Sequence, residues 1–457
     1  MFSIRALFAT AIAVCTILQS KAQGNPWDIE FKRVWEGRNI FDAEMPFPKD
    51  VKFLPVAHYS AEVTALPFEM RVVDGKGNSI VSFSAPTNVA PPFTMHLGFG
   101  GRSRVVVYVT KDGKTSFARL DRLPKSFDPR KKECSRSLSV MSVCGGKTAP
   151  AKCALSAGIG QADVRFVTRG REGRPYMENG RTFFTFTLRY HNNGCGVASL
   201  DPRHPERGVK FEGVLFFDYG DGLLRNDLAP HIFFDDESGE WRGWACNFST
   251  SADEGAKGRA PGGVNVVWSR FSPLRGLSIM NAKPLGLPSM NEDPCGIWDA
   301  KAKKWRLLVS AFTPKGIKAQ MYESDRWDGG FIPITGTVPE DSTGTTIASC
   351  GGKFYCFSGS VDRKYYVYSY PFLKKLGTLK MTPTPWVADA KGWPHGRGWP
   401  TFIELPEGYP HKYLLLTMDR ENFPGVPKPN WTYGGLHLYV GDGELRGVDD
   451  FSMLLAE

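Results

Sequence analysis

The chain has 457 residues, with 57 Lys and Arg against 47 Asp and Glu, which gives a formal net charge of +10 at pH 7. The basic residues are scattered and form no long Lys/Arg block, which argues against a nucleic-acid-binding protein. Aromatic residues make up 13% of the chain, beside 49 glycines and 33 prolines, and this composition favours short strands joined by turns over long helices.

The N-terminus has the features of a signal peptide. Arg5 supplies a positive charge, residues 6–18 form an apolar run too short to span a bilayer, and Ser20 and Ala22 put small side chains where a peptidase reads them. Residues 1–22 are therefore predicted to direct export to the periplasm or the extracellular space. No later segment is apolar for long enough to predict a transmembrane helix.

The cysteines are consistent with an exported chain. Eight remain after the predicted cleavage site, and an even number permits disulfides. Cys350 and Cys356 lie on either side of a Gly-Gly turn, which suggests a direct bridge between them. The alternative is that Cys356 is an unpaired, buried residue. No Cys-x-x-Cys pair is present, so no zinc site is predicted.

Residues 25–125 are predicted to form a small β-sandwich-like domain. Two hairpins with turn sequences rich in Asp and Gly are predicted in it, with strands at 69–73, 79–83, 104–110 and 115–120. Residues 126–163 lose the alternation of apolar and polar residues and contain three cysteines. They are predicted to be a linker or a stapled loop.

From residue 165 the chain repeats one layout five times. Each unit has a polar approach, usually with a proline, then an apolar strand, a turn and an aromatic-rich strand. The five approaches are Arg174-Pro175, Ala229-Pro230, Asp293-Pro294, Thr345-Thr346 and Trp399-Pro400. Units of about 50 residues with three or four strands are typical of propeller blades, whereas a second β-sandwich would need no such period. The fold class is therefore predicted as all-β, with a five-bladed β-propeller over residues 164–457.

Two of these approaches carry a family resemblance. The sequences Leu228-Ala229-Pro230 and Glu292-Asp293-Pro294 resemble the blade-opening motifs of the five-bladed glycoside hydrolases of family 43 and their relatives in families 32, 62, 68 and 117. The run 322–331 is similar to the segment that closes the third blade in that family. The resemblance implies the five-bladed fold and a carbohydrate-active enzyme.

The resemblance also implies a catalytic set, from which this chain departs. Inverting enzymes of this type use a general base in the first blade, a general acid in the fourth, and a third carboxylate in the third. In this sequence the base position falls on Arg174, which cannot deprotonate water, and the acid position falls on Gly344. Only Asp293 keeps the family's residue type, so the catalytic set is degenerate.

Residues just before the innermost strands of a propeller line one central funnel, and they supply the candidate site. The candidate catalytic residues are Asp293, Asp227, Glu292 and Asp341. The candidate substrate-binding residues are Arg174, His231, His395, Arg397 and Trp399. Asp293 is expected to point into the funnel beside these cations, which would lower its pKa and keep it ionised. Arginines at the mouth would suit a carboxylate or sulfate on a sugar.

Three functions agree with these residues. The first is a secreted glycoside hydrolase that acts on a polysaccharide or oligosaccharide, acidic ones included. The second is a polysaccharide lyase, in which an arginine neutralises a uronate and a His or Tyr takes the proton. The third is a non-catalytic glycan-binding propeller. Carbohydrate is the expected partner in each case, and a monomer is expected. No cofactor is required, and a structural calcium ion at the propeller centre is an open alternative.

Overall fold

The structure is a computed structural model that describes residues 29–38, 43–100, 104–189, 193–247, 263–288, 290–385, 398–419, 423–426 and 434–442. The regular secondary structure of these residues is almost all β-strand. The helices among them are one α-helical turn, Cys134–Ser137, and one 3₁₀ turn, Pro205–Arg207. No helix in the described ranges combines the length and apolar character that a membrane span needs. The prediction of an all-β chain is confirmed.

Five blades follow one another along the chain, and the consecutive antiparallel strands of each begin with its inner strand. Blade 1 consists of Gly160–Phe166, Arg181–Arg189, Asn193–Leu200 and Val209–Asp218, with the short strands Met177–Glu178 and Leu224–Arg225. Blade 2 consists of Leu228–Asp235, Glu240–Cys246, Val264–Ser269 and Gly276–Pro284, with the short strands Thr168–Arg169 and Arg174–Pro175. Blade 3 consists of Asn291–Asp299, Lys304–Thr313, Gly316–Ser324 and Ile332–Pro333. Blade 4 consists of Thr343–Cys350, Lys353–Gly359, Tyr365–Ser369 and Lys375–Thr378. Blade 5 consists of Thr401–Glu404, Tyr413–Met418, Leu436–Gly441, Glu30–Gly37 and Lys380–Thr382.

The blades form a closed ring. Each inner strand packs on the inner strand of the next blade, and the inner strand of blade 5 packs back on that of blade 1. Between the blades, aromatic and aliphatic side chains form buried clusters, as expected when sheets bury their faces against their neighbours. The prediction of five blades is confirmed.

The N-terminal strand Glu30–Gly37 closes the ring. It pairs antiparallel with Leu436–Gly441 and parallel with Lys380–Thr382, so it lies inside the sheet of blade 5. The sequence prediction placed this strand with the sandwich at 25–125. The observed pairing differs because Leu436–Gly441 would otherwise be an unpaired edge of a nearly all-buried sheet, and a strand from the other end of the chain covers it.

The first blade also begins earlier than predicted. Its inner strand Gly160–Phe166 is wholly buried and falls partly in the predicted linker 126–163. The rest of that segment is not a linker in the structure either, since Ser139–Cys144 pairs with Phe68–Val73 in the N-terminal domain. In the inner strand the polar residues Gln161, Asp163 and Arg165 are buried, which hides the apolar character that sequence patterns rely on.

The N-terminal domain has two β-sheets with a common core. The six-stranded sheet is formed by Glu44–Pro46, Lys152–Ser156, His58–Val63, Phe93–Gly100, Arg104–Lys111 and Lys114–Arg122. The four-stranded sheet is formed by Lys147–Pro150, Ser139–Cys144, Phe68–Val73 and Ser79–Ser84. The core between them continues into blades 1 and 5. At this interface the ring of Tyr108 meets that of Phe423, with centroids 5.3 Å apart.

Cys350 and Cys356 do not form the predicted bridge. The strand register sets Cys350 opposite Lys353 and Cys356 opposite Ile347, and the two thiols belong to different buried clusters. Because the side chains point to opposite faces of blade 4, no rotamer change joins them. All eight cysteines in the described part of the chain are free thiols.

A buried polar chain crosses the six-stranded sheet. His58 Nδ1 contacts Glu44, and His58 Nε2 lies 2.9 Å from His96 Nδ1. His96 Nε2 lies 2.8 Å from Thr110 Oγ1, which in turn lies 2.8 Å from Thr115 Oγ1. These groups satisfy one another's hydrogen bonds inside the protein, so their charge states matter to its stability.

Acid should destabilise the protein through His96. Burial, and next the charge of His58, lower the pKa of His96 from 6.5 to about 3. Between these values the folded state binds fewer protons than the unfolded state, so the free energy of unfolding falls as the pH drops below 6.5. The loss from this group reaches about 3 kcal/mol near pH 4. Chemical unfolding at pH 7 and near pH 4 measures it, and His96→Gln should lose about 3 kcal/mol less than the parent over this range.

The exposed His204 provides the control. His204→Gln should keep the parent's loss of stability in acid. If His96→Gln and the parent lose stability equally, His96 is not the group that titrates.

The strand that closes the ring should be needed for stability. Phe31 is 0% exposed and packs edge-on against Phe402, with ring centroids 5.6 Å apart. Phe31→Ala should lower the free energy of unfolding by about 3–5 kcal/mol, because it leaves a cavity in blade 5. Phe271→Ala makes the same chemical change at a site 83% exposed, and should cost less than about 0.5 kcal/mol. Equal losses in the two variants would contradict a structural role for the N-terminal strand.

Candidate functional site

The inner strands of four blades share one local distortion near their N-terminal ends. The pairing register breaks there in blades 1 to 4, and the residue at the break has a left-handed backbone. These residues are Asp163, Ala229, Asp293 and Gly344, with φ angles of 51°, 48°, 59° and 63°. Bulges of this kind re-aim side chains, and here they define one end of the ring, which we call the mouth.

Asp293 is the most strongly held carboxylate at the mouth. Its Oδ2 accepts hydrogen bonds from the backbone N–H of Gly344 at 2.8 Å, from Thr343 Oγ1 at 2.8 Å and from Ser310 Oγ at 3.2 Å. The Gly344 and Thr343 donors come from blade 4 and Ser310 comes from blade 3. The carboxylate therefore joins two blades, and its position is fixed.

A second carboxylate occupies the matching place in blade 1. Asp163 is buried, and its Oδ2 lies 2.7 Å from Nη2 of the equally buried Arg189. The sequence analysis did not identify Asp163, because it assigned the opening of blade 1 to Arg174. The available signal was the sequence Ala-Asp-Val, which stands in the first blade where Glu-Asp-Pro stands in the third.

Arg165 lies near the centre of the ring, where it contacts residues of three other blades. It extends from the inner strand of blade 1, and its Nη1 donates to the carbonyl of Thr345 at 2.6 Å and to Thr346 Oγ1 at 2.8 Å. Its Nη2 donates to the carbonyl of Asp293 at 3.3 Å, and its guanidinium stands 5.4 Å from the centroid of the Trp399 ring. One side chain thus contacts blades 3, 4 and 5.

A calcium ion at the centre of the ring would have to compete with hydrogen bonds that the structure shows there. Calcium needs six to eight oxygen ligands, whereas the carbonyls of Asp293 and Thr345 already accept hydrogen bonds from within the ring. The guanidinium of Arg165 also puts a fixed positive charge there. Among the residues that the structure describes, no group of three His, Cys, Asp or Glu side chains could hold a metal ion.

Burial raises the pKa of Asp293, and the charge of Asp163 raises it further. The hydrogen bonds from Gly344 and Thr343 and the charge of Arg165 act in the opposite direction and do not offset these effects. The expectation of a lowered pKa was therefore wrong in direction, because the loss of hydration outweighs the neighbouring cation. A carboxyl group of this kind can hold a proton at a pH where exposed carboxyl groups have lost theirs.

Trp399 fills the space beside Gly344. A Cβ atom on Gly344 would lie 2.7 Å from the indole Cδ2, so no side chain fits at this position with the ring where it is. Trp399 is 2% exposed, and its indole N–H has no hydrogen-bond partner within the described ranges. The space beside Gly344 is therefore filled by the Trp399 ring, and a ligand cannot enter it.

The other three predicted carboxylates do not share the hydrogen bonds of Asp293. Asp227 is fully buried in blade 2, where its Oδ2 accepts from Tyr219 Oη at 2.6 Å and from Asn265 Nδ2 at 2.9 Å. Asp341 is half-buried and accepts the backbone N–H of Val361 at 3.1 Å, which holds a turn within blade 4. Glu292 is half-buried directly before Asp293. No hydrogen bond in the described residues joins any of the three to Asp293.

The predicted substrate-binding residues separate into two groups. Trp399 lies at the mouth, whereas Arg174 and His231 line a cavity at the opposite end of the ring. The side chain of Arg174 is 67% exposed and lies 3.4 Å from Asp236, so it does not reach Asp293. His395 and Arg397 lie outside the described residues.

His231 is neutral and fully engaged. Its Nδ1 accepts the backbone N–H of Gly296 at 3.1 Å, so its proton is on Nε2, which lies 3.2 Å from Thr168 Oγ1. Burial, and next the charge of Arg165, lower the pKa of His231 to about 3. It is therefore not a cationic partner for an acidic sugar at neutral pH.

No protein-family model matches the chain, and no curated protein matches it. Among solved structures, it is similar to a family 62 α-L-arabinofuranosidase from Coprinopsis cinerea, with 10% identity over 62% of this chain and 90% of that one, at a TM-score of 0.40. It is also similar to a family 43 enzyme from Xanthomonas citri, with 10% identity over 62% and 88% and a TM-score of 0.39. A family 117 glycoside hydrolase from Zobellia galactanivorans shows 15% identity over 62% and 84%, with a TM-score of 0.38. These are three of the families that the blade motifs resemble.

The contact between Gly344 and Trp399 gives a prediction on stability. Gly344→Ala should lower the free energy of unfolding by about 3 kcal/mol, because it combines a left-handed backbone with a clash against a buried ring. Gly220→Ala is the matched control, since its φ is also positive, at 80°, but an added Cβ meets nothing within 4 Å. It should cost only about 1 kcal/mol. If urea unfolding shows similar losses for the two variants, contact with Trp399 is not the reason that glycine is needed at position 344.

Proposed function

We propose that the chain is an exported carbohydrate-active enzyme, a glycoside hydrolase with a rearranged carboxylate pair. The observation that carries this proposal is the placement of Asp163 and Asp293 at matching bulges of two inner strands, both buried at the mouth of one ring. Glycoside hydrolysis requires two carboxyl groups in different protonation states on either side of the scissile bond. The signal-peptide features of residues 1–22 support export.

The environments of the two groups suggest their roles. Asp293, whose pKa burial raises, is suited to give a proton to the leaving oxygen of the glycoside. Asp163, in its ion pair with Arg189, is suited to take a proton from the attacking water. In this arrangement Asp293 assumes the part of the acid that is lost at Gly344. The substrate is a polysaccharide or oligosaccharide, acidic ones included.

A non-catalytic glycan-binding protein is the second candidate, and one observation favours it. Trp399 occupies the space beside Gly344, so blade 4 cannot hold an acid side chain at the position where the resemblance implies one. The lyase hypothesis has less support, because Arg174 lies at the other end of the ring and His231 is buried and neutral.

Replacement of either carboxylate tests the proposal. In hydrolysis of a panel of 4-nitrophenyl glycosides and polysaccharides, Asp293→Asn and Asp163→Asn should each lower kcat by about 100-fold or more. Because a general acid must be protonated, kcat/KM of the parent should fall as the pH rises through the pKa of Asp293. The Asp293→Asn variant should lose this alkaline limb in its residual activity.

Asp121→Asn is the control, since Asp121 pairs with Arg119 in the N-terminal domain, and it should retain full activity. If both mouth variants hydrolyse as fast as the parent, the two carboxylates are structural. If the parent binds glycans but cleaves none of them, the binding protein is the correct reading. An unsaturated uronate product would instead identify a lyase.

A further inference from the structure

A cavity of about 490 Å³ lies at the end of the ring opposite the mouth. Its walls come from the C-terminal halves of the inner strands, for example Ile347 and Ser349 in blade 4 and Phe402 in blade 5. No residue from a bulge at the mouth lines it. We call it the axial cavity. Its volume is within the range of cavities that hold small organic molecules and far exceeds that of a single water.

The inner end of the axial cavity is formed by Arg165, which is 1% exposed. Its Nε has no hydrogen-bond partner, and no Asp or Glu of the described residues forms an ion pair with it. The nearest carboxylates are otherwise engaged, Asp163 with Arg189 and Asp293 with its three donors. A buried guanidinium without a close counter-charge is costly, because an arginine stays charged in proteins.

The rest of the cavity determines what kind of anion fits. Phe166, Ile347 and Phe402 make its walls apolar, and His231 presents no charge. At its outer rim, Arg169 and Arg174 share one carboxylate, Asp236, at 2.9 and 3.4 Å. The carboxylates Glu172 and Glu404 also lie at the lining. Among the described residues, Arg165 is therefore the one charged group at the inner end of the axial cavity. A ligand that complements this end is an anion with an apolar body.

We propose that the axial cavity binds a small organic monocarboxylate, whose carboxylate lies against Arg165 and whose apolar body lies between the aromatic walls. The ligand supplies the ion pair that no Asp or Glu of the described residues forms with Arg165. This site is separate from the carboxylate pair at the mouth, and it exists whether or not the chain hydrolyses glycosides.

Benzoate and benzamide provide a matched pair of probes, since they share one shape and differ in charge. Isothermal titration of the full chain should show one benzoate site, with benzamide at least about tenfold weaker. Ser349→Trp, which puts a large side chain on the cavity wall and keeps Arg165 in the chain, should weaken benzoate binding at least about tenfold. Arg165→Met should abolish the preference for benzoate if the variant folds, and Ser349→Trp decides the question if it does not.

Asp121→Asn, in the N-terminal domain, should bind benzoate as the parent does. The proposal is overturned if the parent does not bind benzoate, or if benzamide binds equally well, since Arg165 then attracts no counter-charge. It is also overturned if Ser349→Trp binds benzoate as tightly as the parent, because the ligand would then occupy another site.

Discussion

The buried guanidinium of Arg165 is the contact on which the propeller centre depends. It donates to the main chain and side chains of two other blades and faces the ring of Trp399. Each of these partners lies at an inner strand, so the cation sets the distance between strands that are far apart in sequence. Because its charge cannot be removed by deprotonation, the centre is permanently positive, and the polar groups around it are arranged as acceptors.

Around this fixed charge, the mouth differs from blade to blade. The carboxylates of Asp163 and Asp293 stand where positive charge favours them, whereas blade 2 has Ala229 and blade 4 has Gly344 at the matching bulge. A carboxylate at 344 would require Trp399 to move, and that ring in turn covers the guanidinium. The absence of a side chain at Gly344 in blade 4 and the position of Trp399 are thus structurally linked.

The repeat of the blades could be predicted from the sequence because each inner strand is apolar and bounded by turn residues, as at Asp293-Pro294. The start of blade 1 could not be predicted in this way. The loop after Gly160–Phe166 contains short strands of its own, so the aromatic strand Arg181–Arg189 was matched to the wrong approach, and Asp163 was overlooked. The role of Arg165 could not be predicted either. A single arginine in an apolar strand gives no indication of its contacts, because these contacts form only when the blades come together. The placement of Glu30–Gly37 in blade 5 depends on a pairing across more than 400 residues, which local patterns do not contain.

The pairing of Glu30–Gly37 with Leu436–Gly441 joins strands that are synthesised at different times. The strand that completes blade 5 leaves the ribosome first, while its partner Leu436–Gly441 is among the last segments made. Until then blade 5 is incomplete, because Leu436–Gly441 pairs with both Tyr413–Met418 and the N-terminal strand. Contacts between the two ends of a chain form slowly, because a large loop must close before they contribute any stability. A ribosome-bound chain therefore cannot yet hold a complete fifth blade, and a truncation that removes Leu436–Gly441 would leave the N-terminal strand without its antiparallel partner.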